Sequence, residues 1–262
     1  MRAEESKNVS GEASCWSGSA RAQCYDVEAN RAFYRGALAR LMENAPSFAG
    51  QGLDLGCGTG FSLEGLIEKV PEVSWTGADG SRQMVELARR KASLRNASLI
   101  QARAESLPFA AASFDVVVAN FSWHWFGEGA GDEIQRVLRP GGSFFATVPL
   151  RRYSRVSGNR ALAHALIADR KQYARRVSQG VRFEDVPGAL PKGLRVVRHE
   201  LVVVSERFAD ARELLAVLRD RGALAAIFGD QPPAAIKTSS QVDFEWPFAL
   251  VHAQTSGALT SA

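Results

Sequence analysis

The chain has 262 residues, 46% hydrophobic and 23% charged, a balance that suits one globular domain with core enough to need no disulfide or metal staples. It holds no run of about eighteen apolar residues, which argues against a membrane-spanning helix. The net charge is +4, and Cys15, Cys24 and Cys57 lack disulfide or metal-ligand spacing, so free thiols in a reducing cytoplasm and no metal site are expected.

Residues 1–20 are polar and lack the apolar core of a secretory signal, and residues 1–24 are expected to form a flexible tail. Over residues 26–43, Tyr34, Ala37, Leu38 and Leu41 share one helical face, and Asn44-Ala45-Pro46 ends that helix. A short strand at 52–55 runs into Gly56-Cys57-Gly58-Thr59-Gly60, and a helix follows at 61–70. The alternation continues with a strand at 73–78, a helix at 81–91 and a strand at 97–102. The apolar, β-branched run at 114–119 predicts a strand buried on both faces. A helix at 132–138 stops at Arg139-Pro140-Gly141-Gly142, and a strand occupies 143–148. Beyond Pro149 come a basic helical region at 158–177, a strand at 194–204, a helix at 209–218, a loop at Asp230-Gln231-Pro232-Pro233 and a last strand at 244–252. This rhythm predicts an α/β fold: a Rossmann-like, doubly wound, mostly parallel seven-stranded sheet with a small helical cap. Residues 25–262 form the one domain, with the cap inserted at about 151–193.

The glycine run leaves a strand and opens a helix, the place where an open α/β sheet takes a nucleotide-like ligand. Its spacing is GxGxG, and Phe61 stands where a dinucleotide fingerprint needs its last glycine. Asp54 just before it would repel a pyrophosphate and suits a ligand carrying an ammonium group. Asp79 ends the second strand, where a carboxylate can accept from both ribose hydroxyls; the competing reading is a cap for the helix near Ser81.

Asp54 to Gly60, Asp79-Gly80-Ser81 with Met84, Leu107-Pro108-Phe109, Phe114-Asp115 with Asn120, and Leu138 to Gly142 together resemble the class I S-adenosylmethionine-dependent methyltransferases. The resemblance implies S-adenosyl-L-methionine as cofactor. Gly56, Gly58 and Gly60 would line its methionyl part beside Asp54, with Cys57 a small filler in the turn. Asp79 and Gly80 would meet the ribose, Met84 the adenine face, Ala104 and Glu105 the adenine edge, and Asn120 and Phe121 the sulfonium. Relatives carry an acid just before the Ala104 position; Arg103 stands here, and Glu105 is the substitute. Tyr25, Phe121, Trp123 and Trp125 are candidate aromatic walls for a sulfonium cation. His124 is the candidate general base, with a structural imidazole as the alternative.

Residues 194–224, 244–252 and 120–125, with Tyr25-Asp26, are similar to the malonyl-carrier-protein O-methyltransferases of biotin synthesis. That implies a carboxylate acceptor on an acyl carrier protein. The stretch Arg151, Arg152, Arg155, Arg160, Arg170, Lys171, Arg175, Arg176 and Arg182, with Asp169 its only acid, suits an acidic carrier, and Arg151, Arg152 or Arg155 would pair with the acceptor carboxylate. A natural-product O-, N- or C-methyltransferase using His124, and a non-catalytic cofactor-binding protein, are the alternatives. Asn120-Phe121-Ser122-Trp123 lacks the Asn-Pro-Pro-Tyr-like pattern of amino-methylating nucleic-acid enzymes, so the expected partner is a small or carrier-bound molecule, bound by a monomer or homodimer.

Overall fold

The protein is seen in a computed structural model, which describes residues 22, 25–150, 181–221 and 241–256. The tail at 1–24 (Ala22 apart), the basic helix at 158–177, Arg151, Arg152, Arg155 and the loop at 230–233 lie outside the described residues.

Strands β1 (Gly50–Leu55), β2 (Val73–Asp79), β3 (Ser98–Gln101), β4 (Phe114–Asn120) and β5 (Leu138–Pro149) are parallel to one another. Strand β7 (Val242–Thr255) runs antiparallel between β5 and β6 (Leu194–Phe208). The seven strands make one sheet in the order β3-β2-β1-β4-β5-β7-β6. Five α-helices are described: α1 (Glu28–Leu41), α2 (Phe61–Lys69), α3 (Arg82–Arg89), α4 (Ala130–Val137) and α5 (Ala211–Asp220). None of them is long and apolar enough to cross a membrane.

Two cores lie on the two faces of the sheet, and β4 shows why its middle, Val116 to Ala119, must be apolar on both sides. Val117 and Ala119 are buried with Ile134 and Val137 of α4. Val116 and Val118, pointing the other way, are buried with Leu38 and Leu41 of α1, Leu63 and Leu66 of α2, and Val85 and Ala88 of α3. A third cluster joins Leu214 and Leu218 of α5 to Phe208, Val242 and Phe244 at the far end of the β6–β7 pair.

The elements match the expected order, with three departures. First, β5 begins at Leu138: the ladder steps from Phe114↔Leu138 to Val116↔Ser143, so Arg139 to Gly142 bulges out of a strand instead of preceding it. The Arg139 guanidinium ties that bulge to the Asp115 carboxylate. Secondly, β6 extends past Val204 through polar Ser205, Glu206 and Arg207, because backbone pairing with β7 continues to Phe208↔Val242 after the apolar pattern stops. Thirdly, of the span assigned to the cap, residues 181–193 are described, and Val186 and Leu190 there are buried in the core with α4.

Strand order reverses between β2-β1 and β4, so the crevice beyond Leu55 and Asn120 is the expected ligand position. Leu63, fully buried between α2 and the sheet, supports that edge. Leu63→Ala is expected to cost about 2–5 kcal/mol, read in urea as a lower midpoint with an unchanged slope.

Candidate functional site

The glycine turn is locked from three sides. Gly56, Gly58 and Gly60 have φ of +74°, +54° and +93°, a left-handed region that side-chain-bearing residues resist. A Cβ at Gly56 would also collide with Ser122. The Ser122 hydroxyl donates to the Leu55 carbonyl at 2.6 Å, pressing the end of β4 onto the turn. The Gly56 and Cys57 amides both donate to the Ala78 carbonyl, at 2.7 and 3.0 Å. At Gly58 the nearest atom to an added Cβ is in the Tyr25 ring, 3.7 Å away.

Asp79 fixes the turn by accepting from the Gly58 amide at 2.9 Å and the Ser81 amide at 2.8 Å. The cap of α3 is Ser81, whose hydroxyl accepts from the Met84 amide, so Asp79 is not that helix's cap. Each Asp79 oxygen uses one acceptor position here and keeps capacity for another donor. Asp54, at the carboxyl end of β1, differs. It is 1% exposed and neither carboxylate oxygen has a hydrogen-bond partner. Burial, with the Asp79 charge adding to it, pushes Asp54 up to about 8. A buried carboxylate with no donor is costly unless a cation joins it. The donor set thus fits S-adenosylmethionine: an acid without a partner for the ammonium, and an acid with acceptor capacity left for ribose hydroxyls.

Tyr25 lies against this turn. Its ring stacks on Phe61 with centroids 5.6 Å apart and tilts onto Tyr34 at 5.3 Å. Burial above all, then Tyr34 and the Asp79 and Asp54 charges, raise its phenol far above the usual value. Asp26 latches the segment down, accepting from the Thr59 hydroxyl at 3.1 Å and from Lys91 Nζ at 2.8 Å. Lys91 also sits 4.2 Å over the Phe61 ring. Sequence reasoning missed Asp26, Thr59 and Lys91 as a unit; they are scattered along the chain and only the fold joins them.

The structure gives the remaining candidates varied positions. The Asn120 amide donates to the Tyr34 carbonyl at 3.0 Å and the Ser62 hydroxyl at 2.8 Å, and its oxygen accepts from Thr147 at 2.8 Å. Its side chain is therefore a tie between β4, α1, α2 and β5. Phe121 takes φ of +52°, a strained value for such a residue, held by its amide donating to Thr147 Oγ1 at 2.6 Å. Its ring packs edge-on to Tyr34 and Phe248. Ala104 and Met84 are buried, and Gly80 is exposed beside Asp79. Glu105 accepts from the Gly127 amide and pairs with Arg103 at 3.1 Å, so both its oxygens are engaged and Arg103 is neutralised locally.

Trp123 packs edge-on against Phe126 and Phe144, a core contact. The Trp125 ring lies 4.9 Å from His124. Burial pushes His124 down to about 4, and its Nδ1 has no hydrogen-bond partner. At neutral pH it is an uncharged imidazole of low basicity, without the orienting acceptor that a general base normally has.

Residues 53–146 match the family described as a methyltransferase domain. The sheet order and the glycine turn around that stretch are similar to those of the class I, S-adenosylmethionine-dependent methyltransferases. Among individual proteins, the fatty-acid O-methyltransferase of Mycolicibacterium smegmatis is 32% identical over 138 residues, 52% of this chain and 48% of that one. The malonyl-[acyl-carrier protein] O-methyltransferase of Legionella pneumophila is 42% identical over 74 residues, 28% of this chain and 26% of that one. The chain spans about half the length of the first curated relatives it matches. A SAM-dependent methyltransferase from Aquifex aeolicus has the same fold, with a TM-score of 0.56 at 16% identity over 90% of this chain and 98% of that one.

Thr147 is fully buried and serves both Asn120 and Phe121. Thr147→Val should strand the Phe121 amide and the Asn120 oxygen and cost about 1–3 kcal/mol in chemical denaturation.

Proposed function

We propose that the protein transfers the methyl group of S-adenosylmethionine to the carboxylate of a small acid or of a carrier-bound acyl chain. The observation that carries this reading is the buried Asp54 carboxylate, without a donor, beneath a glycine turn that Asp79 holds open. S-adenosylmethionine supplies a methyl carbon on a cationic sulfur, which an acceptor oxygen displaces in line. Asp54 receives the ammonium, Asp79 the ribose hydroxyls, and Tyr25 with Phe61 keeps water from the turn.

The acceptor class is argued from His124, the candidate base among the described residues. A phenol or amine needs its proton removed, and His124 at about 4 is poorly suited to take it. A carboxylate is ionised at neutral pH and needs no base. The names of two relatives, the fatty-acid and the malonyl-carrier-protein O-methyltransferases, point the same way. The stretch containing Arg151, Arg152 and Arg155, outside the described residues, would supply positive charge for an acidic acceptor or carrier.

The linkage has a definite sign. The folded protein holds a proton on Asp54 between 3.8 and about 8 that the unfolded chain releases, so its stability falls as pH rises through that window. Binding an ammonium requires the carboxylate, so cofactor binding expels that proton. Calorimetry between about pH 6 and 7.5 should show affinity rising with pH, by as much as about tenfold per unit. Asp54→Asn should bind weakly with no such slope and should unfold at a higher temperature than the parent at pH 7.5. A slope that survives in the variant would assign the proton elsewhere.

Transfer of labelled methyl from S-adenosylmethionine should reach malonyl-acyl carrier protein or free fatty acids ahead of phenols and amines. Labelling of phenols alone, with the acids untouched, would reject the carboxylate reading.

A further inference from the structure

A second polar node is buried where α5 ends, away from the glycine turn. Arg221 is 7% exposed. Its guanidinium grips Glu206 with two nitrogens, Nη2 to Oε1 at 2.9 Å and Nη1 to Oε2. It lies 4.2 Å from the Phe33 ring centre and 4.7 Å from that of Trp246. Its third donor, Nε, reaches the Asn30 side-chain oxygen at 3.3 Å.

A guanidinium has only donors, so it dictates which way the Asn30 amide turns. With the oxygen toward Arg221, the nitrogen must serve acceptors. It donates to the Tyr25 carbonyl at 2.9 Å and the Asp220 carbonyl at 3.3 Å. The Tyr34 hydroxyl donates to the Arg221 carbonyl at 3.3 Å, and Tyr25 shares a hydroxyl hydrogen bond with Tyr34. Tyr25 is thus held by its backbone carbonyl and by its ring hydroxyl, and both lines lead to the end of α5.

We propose that Arg221 is a positioning residue: by setting the Asn30 amide it seats Tyr25 against Gly58, and so makes the β6–α5–β7 unit part of the cofactor site. This rests on the reading that the glycine turn takes S-adenosylmethionine. An apolar residue at 221 could fill the same space with no desolvated charge, so packing alone does not call for a buried arginine.

Two variants test it in the full-length protein. Asn30→Asp keeps a partner for Arg221 and removes the donor to Tyr25. Arg221→Met combined with Glu206→Gln removes both charges, so that neither is stranded. Both should melt cooperatively and bind S-adenosylmethionine about tenfold more weakly, the effect of one lost hydrogen bond. In a double-mutant cycle with Tyr25→Ala their losses in affinity should overlap instead of adding. Hydrogen exchange gives a reading without ligand: the Val27 and Asn30 amides, bonded to the Tyr25 and Val27 carbonyls, should exchange faster, with β1 and β4 unchanged. Unchanged exchange at 25–31, or full additivity in affinity, would overturn the proposal. If the parent protein fails to bind S-adenosylmethionine, the cofactor reading falls, and the exchange experiment still decides whether Arg221 seats Tyr25.

Discussion

The burial of Asp54 beside Asp79 is the constraint around which the site is built. Both carboxylates stand at the carboxyl ends of neighbouring parallel strands, and they cannot be treated alike in so dry a place. Asp79 is given two backbone donors, which favour its charged form. Asp54 is given none, and its proton affinity climbs. Burial raises both, Asp79 against the pull of its two donors and Asp54 with nothing to oppose it, so one is a fixed acceptor and the other a buried acid with no donor. The fold carries the strain of that second group because large cores on both faces of the sheet support the turn. Such a local loss of stability is what a functional site shows when a protein departs from its own packing rules, and it is the ground of the cofactor reading proposed for Asp54.

Much of this was legible in the sequence because the signals are local. The unbroken apolar run of β4 could only be a strand covered on both faces, and Val116 to Ala119 do alternate between two cores. The GxGxG spacing with Asp54 and Asp79 depends on residues adjacent in the chain or one βα unit apart. The capping reading of Asp79 fell only when Ser81 proved to cap α3. The polar half of β6 was hidden because its strand character comes from pairing with β7, not from a side-chain pattern of its own. Arg139 to Gly142 reads as a terminator on composition, and only the ladder shows it to be a bulge.

What stayed hidden in the site was tertiary. The Asn120 amide is spent on Tyr34, Ser62 and Thr147, a role separate from the expected place beside the sulfonium. Its value lies in holding four elements around the end of β4, which a sequence position cannot reveal. The Asp26–Lys91 latch and the Asn30–Arg221 link join residues 65 and 191 positions apart. Arg103, odd against the family pattern, is balanced by Glu105 two residues on, which in turn secures Gly127. The local charge there is balanced between the two side chains.

The chemistry we propose is one that destroys charge. In that reading a sulfonium and a carboxylate enter, and a thioether and an ester leave. A site lined by Tyr25, Phe61 and Phe121 stabilises neutral products better than separated ions, provided each ion is held on arrival. Proximity and alignment then supply much of the acceleration, with no proton to move at the reacting oxygen. His124, an uncharged ring beside Trp125 at neutral pH, adds no charge to its surroundings. Its low basicity is a defect in a general base and fits a reaction that needs none.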